Sequence, residues 1–434
     1  MFNMKYDTQA EELNAAIRKS NSHIAEMLSE RGKGIFFPKS GVLAQTAEAK
    51  GKRINATIGI AVEDDNSPMR LPAIAEHIDI DPKDAFSYAP SYGKPELREK
   101  WKTLIFEKNL SLKGKSVSTP VVTNALTHGL SMAAYLFVEP GDAIIQPDLF
   151  WENYGLIFQN TYGASFRLFP TFAGKGFNID GLKESLVEGK TGKKIVVLNF
   201  PNNPAGYTPT VDEVKQIVRL IKQSAENGND IVVLIDDAYF GLVYEKNIEK
   251  ESLFSYLADI HERVLAVKID GATKEDYVWG FRVGFITFAV KNGNDALYKA
   301  LEAKTAGAVR ATISNASHLS QSLVLNAYAS PDYGRQKKQK YKLLKSRYEE
   351  VKKVLKAHTE YGKYFSALPF NSGYFMCIRL KEGIDAEKVR KKLLEKYDTG
   401  ILSMDGIIRL AFSSTKKELI APLFENIFKA CSEI

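Results

Sequence analysis

A lysine placed directly after a buried strand is the first candidate for chemistry in this sequence. The run Val264-Leu-Ala-Val-Lys-Ile269 leads into Gly271-Ala-Thr-Lys274. An amine in that position can lose enough hydration to become a nucleophile. Taken alone, a lysine after a strand is more often structural or solvated. Eight residues on, Arg282 lies between two glycines in Gly280-Phe-Arg-Val-Gly284, where a guanidinium fork can hold an anion. Upstream, Ile231-Val-Val-Leu-Ile-Asp236-Asp-Ala-Tyr239 delivers an aspartate to the end of an apolar run, with a tyrosine three residues later. Such an aspartate also serves as a turn cap. In Asn199-Phe-Pro-Asn-Asn203-Pro-Ala-Gly206, proline and glycine make a turn on any reading, and the side-chain amide of Asn203 is its candidate functional group. Arg409 alternates with apolar residues in Gly406-Ile-Ile-Arg-Leu-Ala-Phe412. A charge on such a strand needs a partner.

The elements that must position these residues read as an α/β pattern. Apolar runs at Pro120–Thr123, Ala143–Gln146, Ser165–Phe169, Lys194–Asn199, Ile231–Asp236, Val264–Ile269 and Gly284–Phe288 predict seven strands. Amphipathic stretches at Thr127–Val138, Trp151–Thr161 and Thr210–Glu226 predict helices between them. Strands alternating with helices imply a mostly parallel sheet covered on both faces, with ligands bound where strands end in polar or glycine-rich turns. From about Tyr328 the pattern becomes a long charged helix, then short strands at Gly373–Arg379 and Ile407–Phe412, which reads as a smaller α+β domain. The expected division is an N-terminal segment over 1–70 packing with the small domain, a large domain over 71–325 and the small domain over 326–434.

Composition excludes several classes. The 434 residues are 44% hydrophobic and 26% charged, ordinary globular values for a chain long enough to bury a large core. No apolar stretch reaches the ~18 residues of a membrane span, and the polar N-terminus has no signal-peptide core. Cys377 and Cys431 make neither a disulfide framework nor a metal cluster, so no metal is expected and a reducing cytoplasm fits best. The net charge of +7 is spread along the chain. Its densest basic run, Tyr333 to Tyr348, has the spacing of a solvated helix face and belongs to no nucleic-acid-binding module. The mild positive excess suits an anionic cofactor and acidic substrates.

Asn-Pro-x-Gly, then Asp-x-x-Tyr, then Thr-Lys with arginine eight residues beyond resembles the aspartate aminotransferase family of fold type I enzymes that use pyridoxal 5'-phosphate. The order, intervals and strand-end contexts agree over roughly Ile54 to Phe412. The resemblance implies that Lys274 bonds the cofactor's aldehyde and then shuttles a proton as general acid and base. It implies that Asp236 pairs with the pyridine nitrogen and that Tyr239 and Asn203 hydrogen-bond the ring's phenolic oxygen. Arg282 would hold the phosphate. Trp151 resembles the ring-stacking aromatic, with Phe150 as its alternative. Tyr88 resembles a tyrosine that reaches the neighbouring subunit's phosphate, with Tyr92 as its rival; that implies a homodimer with shared sites. Arg409 would bind the substrate α-carboxylate, assisted by the backbone of Gly59. Arg310 would read a distal carboxylate across the dimer; an exposed helix-end arginine is the plain alternative. Tyr374 and Phe375 could add an aromatic wall.

The sequence departs from the family at three places. Ala125 and Leu126 stand where glycine and serine or threonine usually begin the phosphate-cradling helix, and Gly271 replaces a phosphate-binding serine. Thr123, Thr127 or Thr273 would have to compensate. Tyr154 stands where a histidine often backs the aspartate, and it can still donate a hydrogen bond. His128, near the helix start, reads as a packing or capping residue. The activity implied is ping-pong transfer of an amino group from aspartate, tyrosine or phenylalanine to a 2-oxo acid such as 2-oxoglutarate. A β-eliminating lyase of the same fold is the alternative. A non-catalytic cofactor-binding regulator would add a DNA-binding module, for which there is no room before Ile54. A dehydrogenase would need Gly-x-Gly-x-x-Gly after the first strand, which is lacking.

Overall fold

The computed structural model describes residues 6–20, 25, 28, 30–35, 41–57, 59–75 and 80–434. The remainder of the expected N-terminal segment lies outside the described residues. In chain order the large sheet takes β1 (Val121–Asn124), followed by helix α1 (Ala125–Phe137), then β2 (Ala143–Pro147), β3 (Ser165–Phe169) and β4 (Lys193–Asn199). Helix α2 (Val211–Glu226) leads to β5 (Asp230–Asp236), β6 (Val264–Gly271) and β7 (Val283–Ala289). All seven strands lie within two residues of their predicted positions.

The spatial order is β1-β7-β6-β5-β4-β2-β3. Strand β7 runs antiparallel to both neighbours, and the others pair in parallel. The centres of β4 and β5 are continuous apolar runs because both faces are covered, and the centre of β6 is apolar apart from Lys268, which is buried and paired with Asp237. Helix α2 shows how these covers are built. Thr210 and Glu213 form a capping box, and Val214, Ile217, Leu220, Ile221 and Ala225 recur at helical spacing toward the core.

Register explains why distant sequence positions meet. Asn199 pairs with Asp236 and Asp236 with Ile269, so β4, β5 and β6 end at one edge of the sheet. The reversed β7 starts at that edge, with Val283 opposite Asn124 and Gly284 opposite Gly271. Arg282, the start of α1 and the turn bearing Lys274 are thereby brought together.

One predicted helix differs. The stretch Trp151–Thr161 is irregular at first and then forms a π-helical segment, Gly155–Thr161. Before it, Asp148 and Thr171 fix the chain: Thr171 donates to Asp148 Oδ1 and accepts from the Leu149 N–H. Those bonds anchor the chain at Leu149, two residues before Trp151.

After the large sheet, the 25-residue helix α3 (Tyr333–Ala357) leads to β8 (Phe365–Ala367), β9 (Phe375–Leu380), α4 (Ala386–Lys396), β10 (Leu402–Met404), β11 (Ile407–Ala411) and α5 (Lys417–Ser432). The antiparallel order is β8-β9-β11-β10. Short β8 and β10 were not apparent from the sequence pattern. Ile54–Asn55 pairs in parallel with Thr399–Gly400, and the Ala411 N–H donates to Ala56 O. This seats Thr57 beside the strand of Arg409. The basic run on α3 departs from expectation, because Arg347 is fully buried and Lys337 and Lys340 pair with Glu275, Asp276 and Glu63. Among the described residues, no helix is long and apolar enough to cross a membrane, and no three His, Cys, Asp or Glu side chains are grouped to hold a metal.

Candidate active site

A cavity of 390 Å³ opens at the common strand edge, within the usual range for small-molecule sites. Lys274, Asp236, Tyr239, Asn203, Arg282, Trp151, Ala125, Leu126, Gly59 and Arg409 all line it. Tyr88 and Arg310 do not. Tyr88 is 90% exposed, and Arg310 is an exposed residue on the helix Asp295–Ile313.

The floor is built from strand ends. Asp236 closes β5, where Tyr154 donates to its Oδ2 at 2.5 Å and the Ala238 N–H to its Oδ1 at 3.1 Å. Burial pushes the Asp236 carboxyl upward, against the Tyr154 hydrogen bond and the Lys274 charge, which push it down. Burial and the adjacent Asp236 raise the Tyr154 phenol far above its ordinary range, so it remains a donor. Asn199, which the sequence reading left without a role, donates from its amide to Asp236 O at 2.8 Å and accepts from the Asn203 N–H at 2.8 Å. Its position as the last residue of an apolar run was the available signal.

Lys274 sits in a four-residue helical turn, Ala272–Glu275. Burial lowers its pKa to about 8; Asp236 opposes that shift and Arg282 adds to it. Its Nζ is 4.8 Å from the Tyr239 ring centroid. Burial also raises the Tyr239 phenol, with Arg409 opposing. Tyr374 lies behind this layer: it is fully buried, edge-on to Tyr239, and donates to Lys274 O at 3.3 Å. Of the suggested aromatic wall, only Phe375 reaches the cavity.

Arg409, 5% exposed, donates from Nη1 to Asn203 Oδ1 and from Nη2 to Thr57 O, each at 3.1 Å. Its carbon Cζ stands 4.2 Å from the Phe375 ring centroid, and its buried Nε has no partner among the described residues. A short backbone approach joins the two halves of this contact. Gly206 has φ +70°, and a side chain there would place Cβ 1.8 Å from Phe375 O. Only glycine lets the Asn203 turn dock on β9.

At the opposite wall lie Arg282 and the first turn of α1. Arg282 donates to Trp279 O at 3.3 Å. Ala125 has φ +62°, the left-handed conformation that favours glycine. The absence of a hydroxyl at Gly271 has a steric cause, since a Cβ there would lie 2.6 Å from Val283 O and 2.7 Å from Gly284 Cα. Of the three threonines that could compensate, Thr127 and Thr273 line the cavity. Thr123 instead donates to Ala125 O.

Trp151 lines the cavity, whereas Phe150 packs edge-on against Phe166. His128 accepts from the Asn124 N–H and bonds Thr312, a capping arrangement. Tyr92 lies under Arg98 and away from the cavity. Val42, Thr46 and Trp279 also line the site; no chemical motif in the sequence marked them.

This is a site with a nucleophilic amine, a buried carboxylate and two separate guanidinium groups, suited to a small molecule with two anionic ends. The family model described as aminotransferase class I and II matches residues 57–427, and the chain belongs to that family. It is 30% identical over 207 residues to a probable N-acetyl-LL-diaminopimelate aminotransferase of Bacillus subtilis, covering 48% of each chain, so it spans about half the length of that relative. It is 26% identical over 328 residues to an aspartate aminotransferase of Sulfurisphaera tokodaii, covering 74% of this chain and 73% of the relative. An aminotransferase from Anaerococcus prevotii superposes with a TM-score of 0.82 at 22% identity, over 93% of this chain and 99% of the other. At that identity the likeness is one of fold.

Proposed function

We propose that the protein is a pyridoxal-phosphate-dependent aminotransferase that moves the amino group of L-aspartate, tyrosine or phenylalanine to a 2-oxo acid such as 2-oxoglutarate. The observation that carries this reading is the meeting of Lys274, Asp236, Arg282 and Arg409 around one cavity from four separated segments. The cofactor fits the residues present. The start of α1, Arg282 and Thr127 offer N–H, guanidinium and hydroxyl donors to a phosphate. Asp236 offers a buried carboxylate to a ring nitrogen, and the unpartnered Nε of Arg409 offers a donor to a carboxylate.

When bound, pyridoxal phosphate supplies an aldehyde that links to amines and a protonated ring that withdraws electrons from the substrate's Cα. Lys274 Nζ would hold that aldehyde and, when free, would be the base placed to take the Cα proton; burial already lowers its pKa to about 8 in the cofactor-free protein. Asp236, held by Tyr154, keeps the ring nitrogen protonated. Tyr239 and Asn203 would donate to the ring's phenolic oxygen, and Trp151, which lines the same cavity, would supply the aromatic face for the ring. Arg409 binds the α-carboxylate with the Gly59 backbone beside it.

In this reading the protein is a cytoplasmic homodimer in which Tyr88 and Arg310 serve the partner's cavity. The exposure of both side chains supports that assignment. The proposed division remains 1–70, 71–325 and 326–434, in keeping with the separate seven-stranded and four-stranded sheets and with the pairing of Ile54–Asn55 to Thr399–Gly400. Membership of the family does not favour the lyase alternative.

The test is the absorbance of the protein with pyridoxal phosphate before and after L-aspartate or L-tyrosine, without an oxo acid. Conversion of the lysine-bound band to that of the aminated cofactor supports the reading. A persistent band with release of pyruvate and ammonia from some amino acid overturns it.

A further inference from the structure

The basic run on α3 is partly buried against the turn that carries Lys274. Two acids follow that lysine directly, and both are buried: Glu275 at 6% exposure and Asp276 at 0%. Lys337 Nζ reaches both, at 2.7 Å from Glu275 Oε1 and 3.1 Å from Asp276 Oδ1. Lys108, at the end of the helix Pro95–Lys108, pairs with the same Glu275 oxygen. Tyr333 and Tyr328 donate to the two oxygens of Asp276 at 2.5 and 2.7 Å. Two carboxylates thus face two ammonium groups, and removing any one leaves the cluster with an uncompensated charge; Lys337 is the ammonium that reaches both acids.

The geometry of the turn requires such a hold. Ala272–Glu275 is a single helical turn, and beyond it Tyr277 and Arg282 have φ of +60° and +57°. Left-handed non-glycine residues persist only where their surroundings impose them. The Glu275–Asp276 cluster lies between the amine and both strained residues.

The other partner in this cluster belongs to a long element. Ten residues after Lys337, Arg347 donates to Ser413 O at 2.5 Å and to Asp64 Oδ1 at 3.0 Å. Ser413 follows the strand that holds Arg409. One helix therefore contacts the lysine's turn at one point and the chain leaving the arginine's strand at another.

We propose that Lys337 is a positioning residue for the reaction: through Glu275 and Asp276 it fixes the turn that aims Lys274, and through α3 it couples that aim to the seating of the Arg409 strand. The proposal rests on Lys274 being the cofactor lysine. A purely structural ion cluster would affect the stability of the fold and leave the folded enzyme's chemistry alone.

The experiment compares Lys337→Met, Lys337→Arg and Glu275→Gln with the wild type, and uses Lys274→Ala as control. Three quantities are read: kcat and KM for the amino donor, the pH midpoint of the lysine-bound absorbance band, and the thermal midpoint. In cofactor-free protein, modification of Lys274 by an amine-selective reagent is followed against pH by mass spectrometry. Misplacement of the amine by Lys337→Met is expected to lower kcat by about tenfold to a hundredfold with KM changed by less than about threefold. It is also expected to shift both pH profiles, and Lys337→Arg is expected to restore them. A lower thermal midpoint with kcat and both profiles as in the wild type overturns the proposal. If Lys337→Met does not fold, Glu275→Gln, which keeps the side chain's shape, carries the same expectation and the same overturning result. Borohydride fixation of the cofactor to the protein that survives Lys274→Ala overturns the assignment of Lys274 itself, whatever the Lys337 variants do.

Discussion

Lys274 bears an electrostatic cost that its chemistry needs. Burial lowers its pKa from 10.5 to about 8, so below about pH 8 the folded protein keeps a poorly hydrated ammonium. Between about pH 8 and 10.5 the folded amine has released its proton while the unfolded chain still holds one. Unfolding then takes up a proton, and this group's contribution to stability rises with pH through that window. Cofactor-free Lys274→Met is therefore expected to be more stable than the wild type at pH 7, with the gap closing as pH rises from about 8 to 10.5. Urea unfolding at a series of pH values measures it; a gap constant across the window means the amine titrates as an ordinary lysine. Tyr154 acts on the neighbouring charge. It supplies one of two hydrogen bonds to the buried Asp236 carboxylate. Tyr154→Phe leaves one oxygen unsatisfied, raises the Asp236 pKa further and weakens its hold on a ring nitrogen. The expected loss of cofactor affinity is about 1–3 kcal/mol, read by spectroscopic titration with pyridoxal phosphate. An unchanged Kd would show that the Asp236 side chain is oriented without the phenol.

At the scale of elements, the place most open to misreading is the phosphate wall. Gly271 reads in sequence as a lost hydroxyl, which invites restoring it. The backbones of β6 and β7 forbid this, because Cβ at Gly271 would lie 2.6 Å from Val283 O. Gly271→Ser is expected to destabilise the protein by about 1–3 kcal/mol, as overpacking does, without tightening cofactor binding. Chemical denaturation and a cofactor titration together check this; a tighter Kd at unchanged stability would mean the strands can part. The same elements show what a sequence can reveal. Strands β4 and β5 were legible because burial on both faces writes an uninterrupted apolar run, and β6 despite the buried Lys268 within it; Asp236 at the end of β5 and Lys274 just past β6 were legible with them, whereas the role of Asn199 was not. Arg409 stood out as a charge on an apolar strand. Strands β8 and β10, three residues each, are too short to write any period. The π-helical Gly155–Thr161 has a helical composition, and composition does not distinguish a π-helical turn from an α-helical one. Lys337 and Arg347 resembled solvated charges because their acidic partners are far away in sequence: Glu275 and Asp276 for one, Asp64 for the other. Gly59, Tyr88 and Arg310 carried no signal in their own surroundings and became candidates only through resemblance.

At the scale of the whole molecule, the proposed function assigns Arg310 and Tyr88 to the cavity of a second copy of the chain, since both lie outside the cavity their own chain forms. This can be tested by complementation. A Lys274→Ala dimer has no reactive amine at either site. An Arg310→Ala dimer keeps both amines but lacks the guanidinium expected to read the distal carboxylate of aspartate. If Arg310 acts across a twofold axis, a hybrid dimer contains one site with the Arg310→Ala chain's Lys274 and the Lys274→Ala chain's Arg310, while its other site has lost both. Random mixing of equal amounts makes half the dimers hybrid with one restored site of two, so aspartate turnover is expected to recover to about a quarter of the wild-type rate for such a twofold assembly. If Arg310 serves its own chain, the hybrid's sites remain singly damaged and turnover stays at the average of the two parent variants. Tyrosine provides the internal control. Its side chain has no carboxylate for Arg310 to bind, so the Arg310→Ala dimer should retain its tyrosine half-reaction, and mixing should add nothing beyond that average. Recovery with aspartate and none with tyrosine would assign both the assembly and the role of Arg310; equal recovery with both would keep the shared site and remove Arg310 from side-chain recognition.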